Sequence, residues 1–184
     1  MKFLWGVLVT VVLVVLVGLL TIYSGIVNVS VLEPPSGLFR WALSTTMEKS
    51  VAARADDIQV PELQNEEKIQ IGAEHYVSMC EQCHGAPGWV QTELARGLEP
   101  KPPLLYQAAE AAEWNAAEMF WITKHGVMMT GMPAWGVTHS DDDIWNIVAF
   151  MQRLPELSVD EYNQYSESPE AGHSHSEDSN EHSH

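Results

Sequence analysis

Cys80-Glu81-Gln82-Cys83-His84 is the stretch of this 184-residue chain that decides its fold. Two cysteines three positions apart, followed at once by a histidine, form the attachment pattern of c-type haem. Near the end of a helix, both sulfurs can reach the two vinyl groups on one porphyrin edge while the histidine lies under the iron. The pattern therefore predicts thioether bonds from Cys80 and Cys83 and makes His84 the proximal iron ligand.

Two other interpretations of the cysteine pair fit less well. A thioredoxin-like redox pair is expected within a strand-helix-strand unit, and no stretch of this chain has a convincing alternating strand pattern. A zinc site needs further cysteines or a paired-histidine motif, whereas the chain has only these two cysteines. Because haem would use both thiols, we expect no structural disulfide.

The chain begins with an apolar segment, residues 3–23, that contains no charged residue. Its length is about the twenty residues that a bilayer requires. A cleaved signal peptide is the alternative, but its apolar region is normally about 7 to 15 residues, and no Ala-x-Ala-like site follows. We expect an uncleaved membrane anchor over residues 1–26. Lys2, the only basic residue before the span, favours a cytoplasmic N-terminus.

Residues 27–64 have a pattern of their own between the anchor and the haem motif. Ser36 can cap a helix in which Phe39, Leu43, Met47 and Val51 recur every four residues. This amphipathic helix would lie on the membrane surface, contact a neighbouring subunit, or pack on the haem domain as a spacer. A linker is expected over residues 56–64, before the next helix begins.

Residues 65–157 are predicted to form one all-α domain. A helix begins at Asn65 and ends just after His84, two helical stretches follow over 105–112 and 116–124, and Ser140 caps a last helix that Pro155 ends. About ninety residues can bury only a modest core, so a covalently held haem would supply much of the apolar interior.

The end of the chain, residues 158–184, is predicted to be a disordered acidic tail. Residues 156–184 contain eight acidic residues and no lysine or arginine, which is half of the net charge of −16. Four histidines, His173, His175, His182 and His184, could bind copper, nickel or zinc weakly, or simply belong to a solvated tail. The acidity argues against nucleic-acid binding and suits a partner with a basic patch.

The sixth position of the iron needs a second ligand, and three methionines in the loop at 126–139 compete for it. We favour Met132, because it precedes a proline that stiffens the backbone and lies between two glycines that let the chain pass close to the haem. Met128 and Met129 are expected to be core residues that line the pocket. His125 is a rival ligand, although a histidine at a helix end is more often a capping or surface residue.

These segments resemble class I c-type cytochromes, specifically the small bacterial membrane-anchored monohaem kind. The resemblance covers about ninety residues and leaves out residues 1–64 and those beyond about Leu157. The matching residues are, in order, Gly72-x3-Tyr76-x3-Cys80-x2-Cys83-His84-Gly85, Pro102-Pro103-Leu104, Ile122-x2-His125-Gly126, Thr130-Gly131-Met132-Pro133-Ala134-Trp135 and Ile144-x2-Ile147-Val148-Ala149-Phe150.

The resemblance implies a cytochrome c fold around one covalently bound haem, preceded by a transmembrane helix. Gly72 and Tyr76 would lie where the first helix of the domain crosses the last one, in contact with Ile147 and Phe150.

The resemblance also assigns roles near the iron. The backbone carbonyl of Pro102 or of Pro103 would accept a hydrogen bond from His84, which orients the imidazole and raises its basicity toward iron. Trp135 would pack beside the ligand methionine. Such haem is attached outside the cytoplasmic membrane, which implies a single-pass protein of the inner membrane with its haem domain on the periplasmic side.

The function expected from these features is electron transfer rather than catalysis. Ligation by one histidine and one methionine leaves no open iron site, and no nucleophile with a base, carboxylate pair or phosphate loop is recognisable. The chain would carry single electrons from a quinol-oxidising complex or dehydrogenase to an oxidase or reductase. The alternative is a permanent electron-transfer subunit of a larger membrane oxidoreductase. A haem-based sensor or gas binder would require a weak or absent methionine ligand.

Overall fold

The structure is a computed structural model that describes residues 2–33 and 35–167. Within those ranges the chain is helical and has no strand, which confirms the all-α fold. The described residues divide into two compact units, one that ends at Arg40 and one that begins at Trp41. The α-helices of the described residues are α1 (Lys2–Ser24), α2 (Gly37–Ala55), α3 (Glu66–His75), α4 (Glu81–His84), α5 (Glu93–Arg96), α6 (Ala108–Ala111), α7 (Ala116–His125), α8 (Asp141–Arg153) and α9 (Val159–Ser166).

Helix α1 has the length and composition of a membrane-spanning helix. Its 23 residues would extend about 34 Å at the ordinary rise per residue, enough for the hydrocarbon core of a bilayer. None of its residues is buried within the protein. Among the described helices it alone is long and apolar enough to be a candidate span.

Helix α2 begins one residue after the predicted cap, but its predicted apolar stripe is buried at one end only. Val51 is 1% exposed and Ala55 is also buried, whereas Phe39 and Leu43 are more than half exposed. The segment after α2, expected to be a linker over residues 56–64, also contributes to the fold, since Leu63 is part of the core of the second unit.

The core of the second unit forms where α3 and α8 cross. Asn65 caps α3 with its side chain, and Ser140 caps α8 in a reciprocal capping box with Asp143, so both helices begin where the sequence predicts. The buried face of α8 includes Ile144, Ile147, Val148, Phe150 and Met151, and none of the first four is more than marginally exposed. Pro155 lies in a single 3-10 turn, Leu154–Glu156, that ends this helix.

The connecting segments differ from the sequence prediction in two places. The helix expected to run from Asn65 past His84 changes to a π-helical turn at Tyr76–Cys80 before α4 begins. The stretch predicted as helical over 105–112 contains only the four-residue α6, whereas the next predicted helix matches α7 closely.

Residues 158–167 correct the predicted boundary of the tail. Instead of being disordered, they form α9, which Ser158 caps in a second reciprocal box with Glu161. Tyr162 from this helix is completely buried in the core, which explains why a polar segment folds here. The four tail histidines, His173 to His184, lie outside the described residues, as does the predicted metal binding there.

Candidate functional site

The cysteines and His84 lie on one short helical segment between α3 and the loop that follows Gly85. Cys80 is buried at the end of the π-helical turn, and Cys83 is half-buried in α4. Both are free thiols, and burial raises the pKa of Cys80 to about 12, so this group is a neutral thiol. π-Turns inside helices frequently mark functional sites, and this one adjusts the helix just before the first cysteine.

The imidazole of His84 has a defined tautomer. Its Nδ1 lies 2.9 Å from the carbonyl oxygen of Pro103. Because a carbonyl oxygen only accepts, Nδ1 carries the proton, and the lone pair is on Nε2. Burial lowers the pKa of His84, while the hydrogen bond to Pro103 works against that shift, so the ring is neutral at physiological pH. Of the two candidate prolines, the structure brings Pro103 to this position.

Tyr76 holds the chain just after His84. Its hydroxyl donates to the carbonyl oxygen of Gly85 at 2.7 Å, and the side chain is completely buried. Gly85 has a φ of +73°, a conformation that a residue with a Cβ rarely adopts, and an added Cβ would lie 3.0 Å from the ring of Tyr106. The hydrogen bond from Tyr76 therefore holds the backbone at Gly85, and the hydrogen bond to Pro103 holds the imidazole of His84.

Gly72 permits the close crossing of α3 and α8. A Cβ at this position would lie 1.9 Å from the carbonyl oxygen of Asn146 and 3.0 Å from Cβ of Phe150. Tyr76, one turn later, places its ring centroid 5.4 Å from that of Phe150. Phe150 therefore lies where the family resemblance predicts. The atom nearest to the added Cβ, however, belongs to Asn146 and not to the predicted Ile147, which is itself buried.

Hydrogen bonds among its own residues stabilise the turn at the start of the methionine loop, residues 126–139. The amide of Val127 donates to the Met132 carbonyl at 3.2 Å, and the amide of Met132 donates to the Thr130 hydroxyl at 3.1 Å. Gly126 lies directly against this turn, because a Cβ there would come within 2.8 Å of the Met132 carbonyl oxygen. Met132 itself is half-buried.

Met128 and Met129, expected to be core residues that line the pocket, are not part of the protein core. They are 90% and 91% exposed, and Met129 has a φ of 64°, in the left-handed region. Both residues lie in a tight turn that a hydrogen bond from the Thr130 amide to the Val127 carbonyl closes. The sequence could not reveal this, because three methionines within five residues have equal hydrophobicity.

His125 and Trp135 each contact an aromatic ring four residues away in the chain. His125 is exposed at the end of α7, where its Nδ1 lies 2.9 Å from the Trp121 carbonyl oxygen and its ring stacks on Trp121 at 4.7 Å. Trp135 begins a 3-10 turn, Trp135–Val137, and meets His139 edge to face at 5.6 Å. The proposed packing of Trp135 beside Met132 stays a prediction.

The attachment segment, residues 80–85, makes a further contact that was not predicted from the sequence. Glu81, between the two cysteines, is only 8% exposed and accepts a hydrogen bond from the Tyr162 hydroxyl at 2.8 Å. Beside it lies a cavity of about 320 Å³ bordered by Val77, Glu81, Gln82, Cys83, Gly85, Trp89, Val90, Gln91 and Thr92. The cavity reaches one cysteine but borders neither His84 nor Met132.

These residues fit a covalently attached haem. Two free thiols one helical turn apart precede an imidazole whose Nδ1 is already bonded, which leaves Nε2 as the nitrogen that can bind iron. In residues 2–33 and 35–167 there is no cluster of three His, Cys, Asp or Glu side chains that could hold a metal ion instead.

Comparison with known proteins agrees with this geometry. Residues 67–151 match the family described as cytochrome C oxidase, cbb3-type, subunit III. The match begins in α3 and ends in α8, so it contains the attachment motif, the methionine loop and the helix crossing. No curated protein matches the chain. The family and the fold confirm that residues 67–151 are a class I c-type cytochrome domain, the haem c domain of an electron-transfer protein.

Proposed function

We propose that this protein carries single electrons at a membrane surface through one haem c attached to Cys80 and Cys83, with His84 and Met132 as the iron ligands. The observation that carries the proposal is the His84 tautomer, since the 2.9 Å bond to Pro103 leaves Nε2 free to bind iron. Haem c supplies a one-electron iron couple, and ligation by His and Met raises its potential.

The protein itself would bind, orient and shield this group. Cys80 at the end of the π-helical turn and Cys83 in α4 would hold one porphyrin edge, while Pro103 keeps the His84 ring in one orientation. On the other side, Met132 would complete the coordination and leave no position for substrate, which fits a carrier rather than an enzyme.

Helix α1 would anchor the protein in the cytoplasmic membrane, with the haem domain on the periplasmic side. The support for this orientation is Lys2 at the start of α1, whose other 22 residues are uncharged, and the expectation that haem c is attached outside the cytoplasm. The donor would be a quinol-oxidising complex or a dehydrogenase, and the acceptor an oxidase or reductase. A net charge of −16 favours a basic docking surface on these partners.

The experiment is visible spectroscopy of the purified full-length protein. We expect a reduced-minus-oxidised spectrum of c type, a weak sulfur-to-iron band in the oxidised protein, and no carbon monoxide binding to the untreated ferrous form. Carbon monoxide binding without that band would contradict Met132 ligation and favour a haem-based sensor or gas binder.

A permanent subunit of a larger oxidoreductase is the second candidate. It is favoured by the family match, whose description names a subunit of an oxidase, and by the exposed apolar residues Phe39 and Leu43 of α2. Purification in mild detergent separates the two functions. A stable, stoichiometric complex with other redox subunits would support this candidate, and an isolated monohaem protein would support the free carrier.

A further inference from the structure

Helix α9 lies beyond residues 67–151, the part of the chain that matches the cytochrome family. It nevertheless packs on the domain at several points. Val159 lies against Gly88, where a Cβ would come within 3.0 Å of a Val159 methyl carbon, and Tyr165 donates to Glu66 in α3 at 2.8 Å. The helix therefore bridges the start of α3 and the loop after the haem-attachment motif.

Tyr162 connects this helix to the attachment motif itself. Its hydroxyl donates to Oε2 of Glu81, and both side chains are buried. Within the described part of the chain, Glu81 is the one carboxylate that is buried, and no lysine or arginine there forms an ion pair with it. A buried carboxylate with a tyrosine as its hydrogen-bond donor keeps most of its charge uncompensated.

The titratable groups that face Glu81 are tyrosines, Tyr162 from α9 and Tyr76 from the π-helical turn. Burial raises the pKa of both phenols, so both are neutral donors at physiological pH. Burial also raises the pKa of the Glu81 carboxyl, and the hydrogen bond from Tyr162 lowers it. The two opposing effects make the ionisation of Glu81 depend on Tyr162.

Two tyrosines thus hold the attachment segment from different elements. Tyr76 binds the Gly85 carbonyl and Tyr162 binds Glu81, and both rings pack near Phe150, with centroids 5.4 and 6.3 Å from its own. The first tyrosine belongs to the matched domain, whereas the second is supplied by α9.

We propose that Glu81 and Tyr162 are positioning residues that set the reduction potential, with Glu81 placing a buried negative charge on the segment that carries both haem-attachment cysteines and Tyr162 holding that carboxylate in place. The proposal rests on the proposed function, because it requires haem on Cys80 and Cys83. A nearby carboxylate stabilises the ferric state more than the ferrous state, since ferric iron carries one more positive charge. The ionised Glu81 carboxylate is therefore expected to lower the midpoint potential.

Glu81→Gln tests the charge while keeping an oxygen that accepts from Tyr162. In the full-length haem protein we expect a higher midpoint potential, and loss of the part of its pH dependence that comes from Glu81. Tyr162→Phe keeps the ring and removes the donor, so the same pH-dependent step should move to higher pH. Potentiometric titrations across the pH range measure both effects.

Tyr165→Phe is the matched control, because Tyr165 lies on the same helix, packs on Phe150 at 5.6 Å, and donates to the exposed Glu66. It should leave the pH profile of the potential unchanged. If Glu81→Gln and Tyr162→Phe retain covalent haem and have the wild-type potential at every pH, the pair is merely structural and the inference is wrong. Should Glu81→Gln fail to fold, the profile of Tyr162→Phe decides alone. Absence of covalent haem from the wild-type protein would instead contradict the proposed function, and a haem stain of denaturing gels distinguishes the two failures.

Discussion

The segment that carries the cysteines and the loop that carries Met132 are fixed in different ways. Several hydrogen bonds from outside the motif hold the attachment segment, among them those between His84 and Pro103, between Tyr76 and Gly85 and between Tyr162 and Glu81. The methionine loop is closed by bonds among its own residues, such as those between Val127 and Met132 and between Thr130 and Val127.

This difference teaches that contacts with other parts of the fold, and not only local turns, order the proximal side of the site. Tertiary contacts set the orientation of His84 there, and buried hydrogen bonds of this kind resist local opening. On the other side, the loop has a fixed backbone turn but a half-buried Met132 between exposed neighbours. We expect the bond from Met132 to iron, where it forms, to contribute much of the order of this loop.

The largest effect should come from Cys80→Ala or Cys83→Ala. Each removes one proposed thioether, so covalent haem should fall strongly even though the helices that frame the site remain. Haem staining after denaturing gel electrophoresis measures the loss. Undiminished staining in both single variants would overturn the assignment of the attachment residues.

Gly72→Ala tests whether the proximal side depends on the crossing of α3 and α8. The new Cβ would overlap the Asn146 carbonyl, and relieving such overpacking typically costs about 1–3 kcal/mol or more. Chemical denaturation of the haem protein should show that loss of stability. Gly97→Ala is the control, because its Cβ would meet only backbone oxygens at 3.5 Å, an ordinary contact distance. Equal stability of the two variants would show that the crossing tolerates separation.

Met132→Ala addresses the other side of the comparison. It should abolish the sulfur-to-iron band and open the iron to carbon monoxide, while covalent haem and the proximal contacts persist. Met128→Ala and Met129→Ala should keep the band, because only loss of the ligand residue changes the coordination of the iron. If the band is lost in one of those variants and kept in Met132→Ala, the ligand has been assigned to the wrong sulfur.

The two sides also differed in how well the sequence predicted them. The motif located Cys80, Cys83 and His84 on one helical segment, because ligand spacing is a local property of a helix. It left Pro102 and Pro103 as alternatives, since the path of the loop from Gly85 onward decides which carbonyl meets the imidazole. The exposure of Met128 and Met129 could not be predicted either, because it depends on a tight turn in which Met129 has a left-handed backbone conformation.

Helix α9 was missed although its start carries a readable signal. Ser158 and Glu161 have the spacing of a capping box, which the acidic composition of the surrounding tail obscured. The contact that stabilises the helix joins Tyr162 to a residue 81 positions earlier, and no local periodicity can predict such a pair. The sequence therefore predicted the domain by its motifs but could not predict what packs onto it.

A smaller effect is expected from acid on the cap of α9. The hydrogen bonds from Ser158 lower the pKa of Glu161, so the folded state binds this proton less readily than the unfolded state. The contribution of the cap is therefore present above the ordinary glutamate pKa of about 4.3 and is lost as pH falls through the lowered value. Protection factors of the α9 amides, which correct for the intrinsic exchange rate at each pH, should fall in that range. Unchanged protection factors below it would mean that the contacts of Val159, Tyr162 and Tyr165 keep the helix packed without the cap.

The smallest effect should follow deletion of residues 168–184, which leaves α9 and both tyrosine contacts intact. Haem content and midpoint potential should stay nearly constant, because salt screens exposed charges beyond about 8 Å. If the tail histidines bind metal, calorimetry with copper or zinc should detect binding in the full-length protein that disappears on deletion. That binding should weaken below about pH 6, where protons compete for imidazole. Identical titrations with and without the tail would exclude metal binding there, and a large shift in potential would mean that the tail packs close to the attachment segment.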